Sequence, residues 1–66
     1  MKLVARFRKL EPFELVRIKA CAGEGVLDVT KIGQDTIISA EGDLFELIGV
    51  IHILDHYKYK EMELQR

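Results

Sequence analysis

Hydrophobic and polar residues alternate in the first patterned segment of the chain. In KLVARFR, residues 2–8, an apolar series occupies every second position, with Leu3, Ala5 and Phe7 as its members, and cations take most of the positions between them. A period of two is typical of a β-strand with one buried face. The segment therefore predicts a strand that buries Leu3, Ala5 and Phe7.

Two further segments carry the residue types of strands and surround a glycine. VLDVTKI, residues 26–32, and DTIISA, residues 35–40, are rich in β-branched side chains, and Gly33 lies between them. Glycine adopts the positive φ that a tight turn requires at little steric cost. The pattern predicts a β-hairpin with its turn around Gly33.

The segment between these strands fits two interpretations. As a helix over residues 12–22, it has Pro12 at the first position, Glu14 near the positive end of the helix dipole, and Gly23 after the last residue. As a strand, Val16 and Ile18 alternate with cationic neighbours. We favour the helix, because the run of small residues at its end suits a helix better than a strand.

Residues 43–56, DLFELIGVIHILDH, show the strongest helical pattern in the chain. Asp43 is a suitable N-cap, and Glu46, three residues later, completes a capping box. Apolar residues recur with the spacing of a core-facing helical stripe. The predicted core stripe consists of Leu44, Leu47, Ile48, Ile51 and Leu54.

The opposite side of this helix is unusually apolar for a surface. One sheet cannot cover both sides of a helix, so either a loop or a partner covers the second side, since small proteins seldom leave a large apolar patch bare. We therefore expect this side to dock another protein or a second copy of the chain, and a symmetric pair would bring the same residues together. The predicted interface consists of Phe45, Gly49, Val50, His52, Ile53 and His56.

The last segment, YKYKEMELQR, alternates again and predicts a final strand at the edge of a sheet, with a continuing helix as the alternative. With a helix at residues 12–22, the chain forms one small α+β domain over residues 1–66. That domain is a β-α-β-β-α-β open-faced sandwich with an antiparallel sheet. With a strand at residues 12–22, the fold becomes a four-stranded β-meander followed by one helix.

The net charge is −1, but cations are concentrated early in the chain. Residues 1–22 hold six lysines and arginines against two acids, whereas residues 23–66 hold four against nine. This asymmetry gives an alternative function, a small nucleic-acid-associated regulator, although the pI near 6.1 disfavours a dedicated binder. The candidate basic patch consists of Arg6, Arg8, Lys9, Arg17 and Lys19.

Catalytic and cofactor motifs are not recognisable. No serine, threonine or carboxylate lies in a catalytic constellation, and no glycine-rich phosphate loop is present. His52 and His56, four residues apart, share a helical face, but a third ligand is not evident, so we expect no metal, no cofactor and no enzymatic activity. Cys21, the single cysteine, is expected to be a small buried residue.

A reducing, cytosolic compartment fits a chain with one cysteine and no disulfide. No signal peptide precedes residue 20, and the apolar run in residues 44–54 is about half of what a bilayer span requires. We therefore expect a cytoplasmic protein without a membrane partner.

The stretch LDVTKIGQD…ELIGVIHIL, residues 27–35 and 46–54, resembles the HPr family, the histidine phosphocarriers of the sugar phosphotransferase system, and ELIGV at residues 46–50 matches the start of that family's second helix. The resemblance implies a regulatory or docking module, with Leu47, Ile48 and Val50 as apolar docking positions. Phosphocarrier chemistry is not expected, because Lys9 stands where the family has its histidine, three residues before Pro12.

Overall fold

The computed structural model describes residues 1–66 as one α+β domain. Four strands form an antiparallel sheet in the order β2-β3-β1-β4, and two helices complete the β-α-β-β-α-β order expected from the sequence. The elements are β1 (Lys2–Arg8), α1 (Pro12–Ala22), β2 (Asp28–Ile32), β3 (Asp35–Glu41), α2 (Leu44–Leu54) and β4 (Glu61–Gln65).

The first strand, β1, lies inside the sheet and pairs with strands that are distant in sequence. Leu3 is opposite Ala40 of β3 on one side and opposite Leu64 of β4 on the other. Helix α1 connects β1 to β2, and helix α2 connects β3 to β4, so each crossover passes one strand. This is the split β-α-β arrangement.

Residues 12–22 are helical, so the meander alternative is wrong. Pro12 occupies the first turn, where its missing N–H is not needed, and the backbone N–H of Glu11 donates to Glu14 Oε1 at 3.0 Å. Gly23 ends the helix with φ 99°, a conformation that residues with a Cβ rarely adopt. The residues at the two ends of this segment are therefore those that a helix requires.

The capping box predicted for the second helix is confirmed. The backbone N–H of Glu46 donates to Asp43 Oδ1 at 2.8 Å, and the N–H of Asp43 donates to Glu46 Oε1 at 3.2 Å. These bonds satisfy donors that a helix N-terminus otherwise leaves unpaired. Each helix spans 11 residues, and neither is long and apolar enough to cross a membrane.

The hairpin and the final strand are also present. Gly33 forms the turn with φ 62°, and β4 lies at the sheet edge beside β1. Both predicted strands are shorter than their patterns indicated, since β2 begins at Asp28 and β4 begins at Glu61. Lys58 and Lys60 therefore lie before the edge strand and not within it.

The core lies between the helices and one face of the sheet. The prediction for β1 is confirmed, because Leu3, Ala5 and Phe7 are almost completely buried. Phe7 also contacts Tyr59 edge to face, with ring centroids 6.3 Å apart. The core consists of Leu3, Ala5, Phe7, Ile18, Ile38, Ala40, Leu47, Val50 and Leu54.

The predicted core stripe of α2 is wrong in its rotation about the helix axis. Leu47 and Leu54 are buried as expected, but Leu44 and Ile48 are 46% and 40% exposed. Val50, assigned to the outer side, is buried in their place at 6% exposure. Apolar residues on nearly every side give a helix no unique orientation, so packing on the sheet and on α1 decides which residues turn inward.

The orientation of α2 can be tested with two neighbouring residues of similar size. Leu47→Ala should lower the free energy of unfolding by about 2–5 kcal/mol, because it leaves a cavity in the core. Ile48→Ala removes a side chain that is 40% exposed, so its cost should be about 1 kcal/mol or less. Urea denaturation followed by circular dichroism measures both. A larger loss for Ile48→Ala would contradict the orientation described here.

Candidate docking surface

The side of α2 that faces away from the sheet carries exposed residues with helical spacing. Phe45 is 85% exposed. Gly49 and His52 are also exposed and lie on the same side, because residues four and seven positions apart project in nearly the same direction when each residue rotates by about 100°. His56 continues this series in the turn after the helix and is also exposed. Four of the six predicted interface residues therefore lie together on one solvent-facing side.

The two other predicted interface residues lie elsewhere. Val50 belongs to the core, and Ile53 is half-buried against that core. The sequence pattern predicts both as outer residues because it predicts the wrong orientation for the helix. The structure thus removes Val50 from the interface and leaves Ile53 at its margin.

Helix α1 contributes exposed apolar residues that the sequence pattern did not predict as a surface. Phe13 and Val16 are 59% and 67% exposed, and Ala20 is also exposed. Their spacing of three and four residues places them on one side of the helix. That spacing was visible in the sequence, but assigning it to a surface required knowing that α1 is a helix and that Ile18 faces the sheet.

We call these two stripes together the outer helical face. The guanidinium carbon of Arg17 lies 5.7 Å from the centre of the Phe13 ring, at cation–π distance. Gly49 has no heavy atom within 4 Å of the place where a Cβ would project, so the helix backbone there is open to solvent. The outer helical face consists of Phe13, Val16, Ala20, Phe45, Gly49, His52 and His56.

The end of α1 and the end of α2 border a shallow hollow. Cys21 lines it together with His52, Ile53, His56 and Tyr57. The prediction that Cys21 is buried is wrong, because it lies at the exposed end of α1. No three or more His, Cys, Asp or Glu residues are grouped closely enough to hold a metal ion.

The five cations predicted as one basic patch lie on different parts of the molecule. Arg6 and Arg8 extend from β1 toward the open face of the sheet, whereas Arg17 and Lys19 belong to α1 on the other side. Lys9 lies between these elements with φ 58°. On the open face, Arg6 is opposite Glu61 in the strand register. The cations therefore do not form a continuous surface for a nucleic acid.

An ion pair on the open face holds β1 to β3. Arg6 Nε donates a hydrogen bond to Asp35 Oδ2 at 2.6 Å, and both side chains are partly exposed. This hydrogen bond is the largest effect and lowers the pKa of the Asp35 carboxyl below its ordinary value. Desolvation, the second largest effect, raises the pKa, and the charges of Arg6, Lys60 and Arg8 lower it further. Asp35 is therefore ionised when it is folded and paired.

The ion pair predicts a pH dependence of stability. Because the pKa of Asp35 is lowered in the folded state, the stabilisation is present above about pH 4 and is lost as the pH falls through the lowered pKa. Asp35→Asn should therefore be less stable than the original protein near neutral pH, and this difference should shrink in acid. Urea denaturation at about pH 7 and about pH 2 measures it. Asp28→Asn on β2 is the control, and a difference for Asp35→Asn that does not change with pH would contradict the assignment.

The docking positions that the HPr resemblance implies are mostly inside the protein. Leu47 and Val50 are buried, and only Ile48, at 40% exposure, reaches solvent. The resemblance itself stays a prediction. Comparisons with protein-family models, with curated proteins and with solved structures give no match to this chain.

Proposed function

We propose that this protein is a non-enzymatic interaction module that forms a homodimer through the outer helical face. The observation that carries the proposal is the exposure of Phe45, at 85%, on the same helix side as Gly49 and His52. Exposed aromatic side chains that neighbour other apolar groups are typical of protein interfaces. Four of the six residues that the sequence pattern predicts as the docking side, Phe45, Gly49, His52 and His56, belong to this surface.

The charge distribution favours a second copy as the partner. The α2 stripe of the outer helical face contains no carboxylate and no lysine or arginine. In the α1 stripe, Arg17 lies against Phe13. Lys19, Glu46 and Asp55 are further charges of the two helices and their ends. A symmetric dimer brings each residue near its own copy across a twofold axis, so a charged centre would repel itself. An uncharged centre with charges of both signs around it avoids this repulsion between the two copies.

The size of the helices indicates that both take part. A stable interface buries about 800 Å² on each partner. An α-helix with 11 residues is about 16 Å long and about 10 Å wide, so α2 alone offers too little area. Phe13 and Val16 of α1 extend the apolar area on the same layer, so a contact through both helices buries about twice the area of a contact through α2 alone.

Gly49 gives the dimer a position for close approach. Nothing in this chain packs against it, so its lack of a side chain is not explained by the monomer. Glycine in a helix costs about 1 kcal/mol relative to alanine. A crossing of two α2 helices near Gly49 accounts for that cost, because small residues let helix backbones approach each other, and it places each Phe45 beside the partner helix.

A regulatory role in the cytosol agrees with this proposal. The resemblance to the HPr family suggests a module that acts by docking, and the exposed Cys21 fits a compartment where thiols stay reduced. The chain contains no arrangement of side chains that suggests catalysis. Nucleic-acid binding through β1 has less support, because Arg6 pairs with Asp35 and Phe7 is buried and cannot stack on a base.

Dimerisation can be tested by placing a charge at the centre of the outer helical face. Phe45→Asp should convert a dimer into a folded monomer, because burying an unpaired carboxylate at an interface costs several kcal/mol, of order 2–5. Multi-angle light scattering measures the mass, and circular dichroism verifies that the variant is folded.

Ile32→Asp is the matched control for Phe45→Asp. Ile32 is 53% exposed but lies on β2, toward the open face of the sheet, so its replacement should leave the dimer intact. Original protein that is monomeric at high concentration would overturn the homodimer. If that monomer still bound a different protein, and Phe45→Asp abolished the binding, the surface would be correct and its partner would be another chain.

A second variant separates helix stability from dimerisation. Gly49→Lys should stabilise the monomer by about 0.5–1 kcal/mol, because lysine is a better helix former and the position is open. It should weaken the dimer, because the side chain prevents close approach and two lysines meet near the axis. Thermal unfolding at low concentration and sedimentation equilibrium measure the two effects. A Gly49→Lys dimer as tight as the original would contradict a crossing at this residue.

A further inference from the structure

The sheet ends in two edge strands, and they differ in how well they are protected. β2 and β4 are the outer strands, so each has one side with backbone N–H and C=O groups that no strand of this chain pairs. Such edges can accept another strand, and many proteins block them with an inward-pointing charge. The two edges therefore have to be compared residue by residue.

The β2 edge carries such a charge. Lys31 is opposite Thr36, which is buried on the helix-bearing face, so Lys31 points to that same face. An added strand at this edge would have to cover a lysine on the apolar side of the sheet. The β2 edge is therefore protected.

The β4 edge lacks this protection. Leu64 is opposite Leu3, and Met62 is opposite Ala5, so both point to the helix-bearing face of the sheet. Leu64 is 41% exposed although its neighbour Leu3 is buried. The edge therefore offers apolar area beside unpaired backbone groups.

The other face of β4 is acidic. Glu61 is opposite Arg6, and Glu63 is opposite Val4, so both carboxylates lie on the open face of the sheet and are exposed. Two β4 strands paired antiparallel around Glu63 would place carboxylates directly opposite each other, which destabilises a strand pair. The β4 edge is therefore a poor partner for its own copy and a good partner for cations.

We propose that the free edge of β4 binds an extended segment of another protein in which basic and apolar residues alternate. The basic residues would lie beside Glu61 and Glu63, and the apolar residues beside Met62 and Leu64. The pairing on the other side of β4 supports this chemistry, because β1 alternates in the same way and places Arg6 next to Glu61 and Leu3 next to Leu64. The segment adds a fifth strand to the sheet.

Helix α2 offers apolar area to the added strand. Ile48 and Ile53 project about 140° apart around the helix. Ile53 lines the hollow shared with Cys21 of α1, so Ile48 and its neighbour Leu44 lie on the flank away from α1. The strand order and the crossovers put α2 on the β4 side of the helical layer, so these half-exposed residues can cover the apolar side chains of the segment.

The test uses a designed peptide and its charge-reversed control. The probe is the acetylated and amidated peptide TKVKVKT with a fluorescent label, and the control is TEVEVET with the same valines. We expect binding of the probe, weaker binding at high salt, and no comparable binding of the control. Fluorescence anisotropy gives both affinities, and NMR should show slowed exchange of backbone amides in residues 61–65.

Three variants identify the binding edge. Glu63→Lys should lower the affinity for the probe about tenfold and raise the affinity for the control peptide, because it reverses the central charge of β4. Residue 63 is opposite Val4, so the new lysine meets no cation on β1. Leu64→Lys places a lysine on the helix-bearing face of β4, as Lys31 does on β2, and should lower the affinity for both peptides. Asp28→Lys, on the open face of β2, should change neither, and circular dichroism verifies that all three variants are folded.

Several results would overturn the proposal. These are equal affinity for both peptides, no binding of the probe at low salt, or an effect of Asp28→Lys as large as that of Glu63→Lys. The proposal is independent of the homodimer, since Phe45→Asp should leave the affinity for the probe unchanged. Loss of dimerisation and loss of peptide binding are therefore distinguishable.

Discussion

The burial of one face of β1 is the constraint on which the rest of the molecule depends. Leu3, Ala5 and Phe7 fill the middle of the sheet, and both neighbouring strands and both helices are arranged around them. A chain of 66 residues has enough apolar side chains for one such layer, and ten residues are buried. Any further apolar surface stays outside the core, as it does on the outer helical face and at the β4 edge.

These two surfaces differ in chemistry. The outer helical face is broad and uncharged at its centre, so it suits a partner that presents the same surface. The β4 edge combines backbone groups, carboxylates and exposed leucine, so it suits an extended basic segment. Both surfaces include α2, but the outer helical face uses its solvent-facing side and the β4 edge uses its flank at Leu44 and Ile48. The two proposed contacts are therefore compatible in one molecule.

Local signals in the sequence predicted most of the fold, because they act within a few residues. Asp43, Glu46, Pro12 and Gly33 mark ends and turns through their own backbone geometry, and the alternation in β1 specifies which side is buried. These features gave the correct order of elements and the correct sheet class. Sheet order and register depend on contacts between distant segments, which periodicity does not encode.

The candidate site was predicted less completely, for a physical reason. A helix that is apolar on nearly every side can rotate about its axis without an obvious change in buried area, so the sequence did not distinguish Val50 from Ile48. The prediction that Cys21 is buried was wrong because its exposure depends on where α1 ends relative to α2. Phe13 and Val16 were missed as a surface because that inference requires the position of the sheet.

The pairing of β1 with β4 has a consequence for folding. Residues 2–8 reach their final environment only when residues 61–65 join them, so the inner strand is completed by the last of the six elements in chain order. Contacts between such distant segments slow folding relative to local ones. On the ribosome, one flank of β1 stays open until β4 emerges, and an open strand edge of this kind favours aggregation.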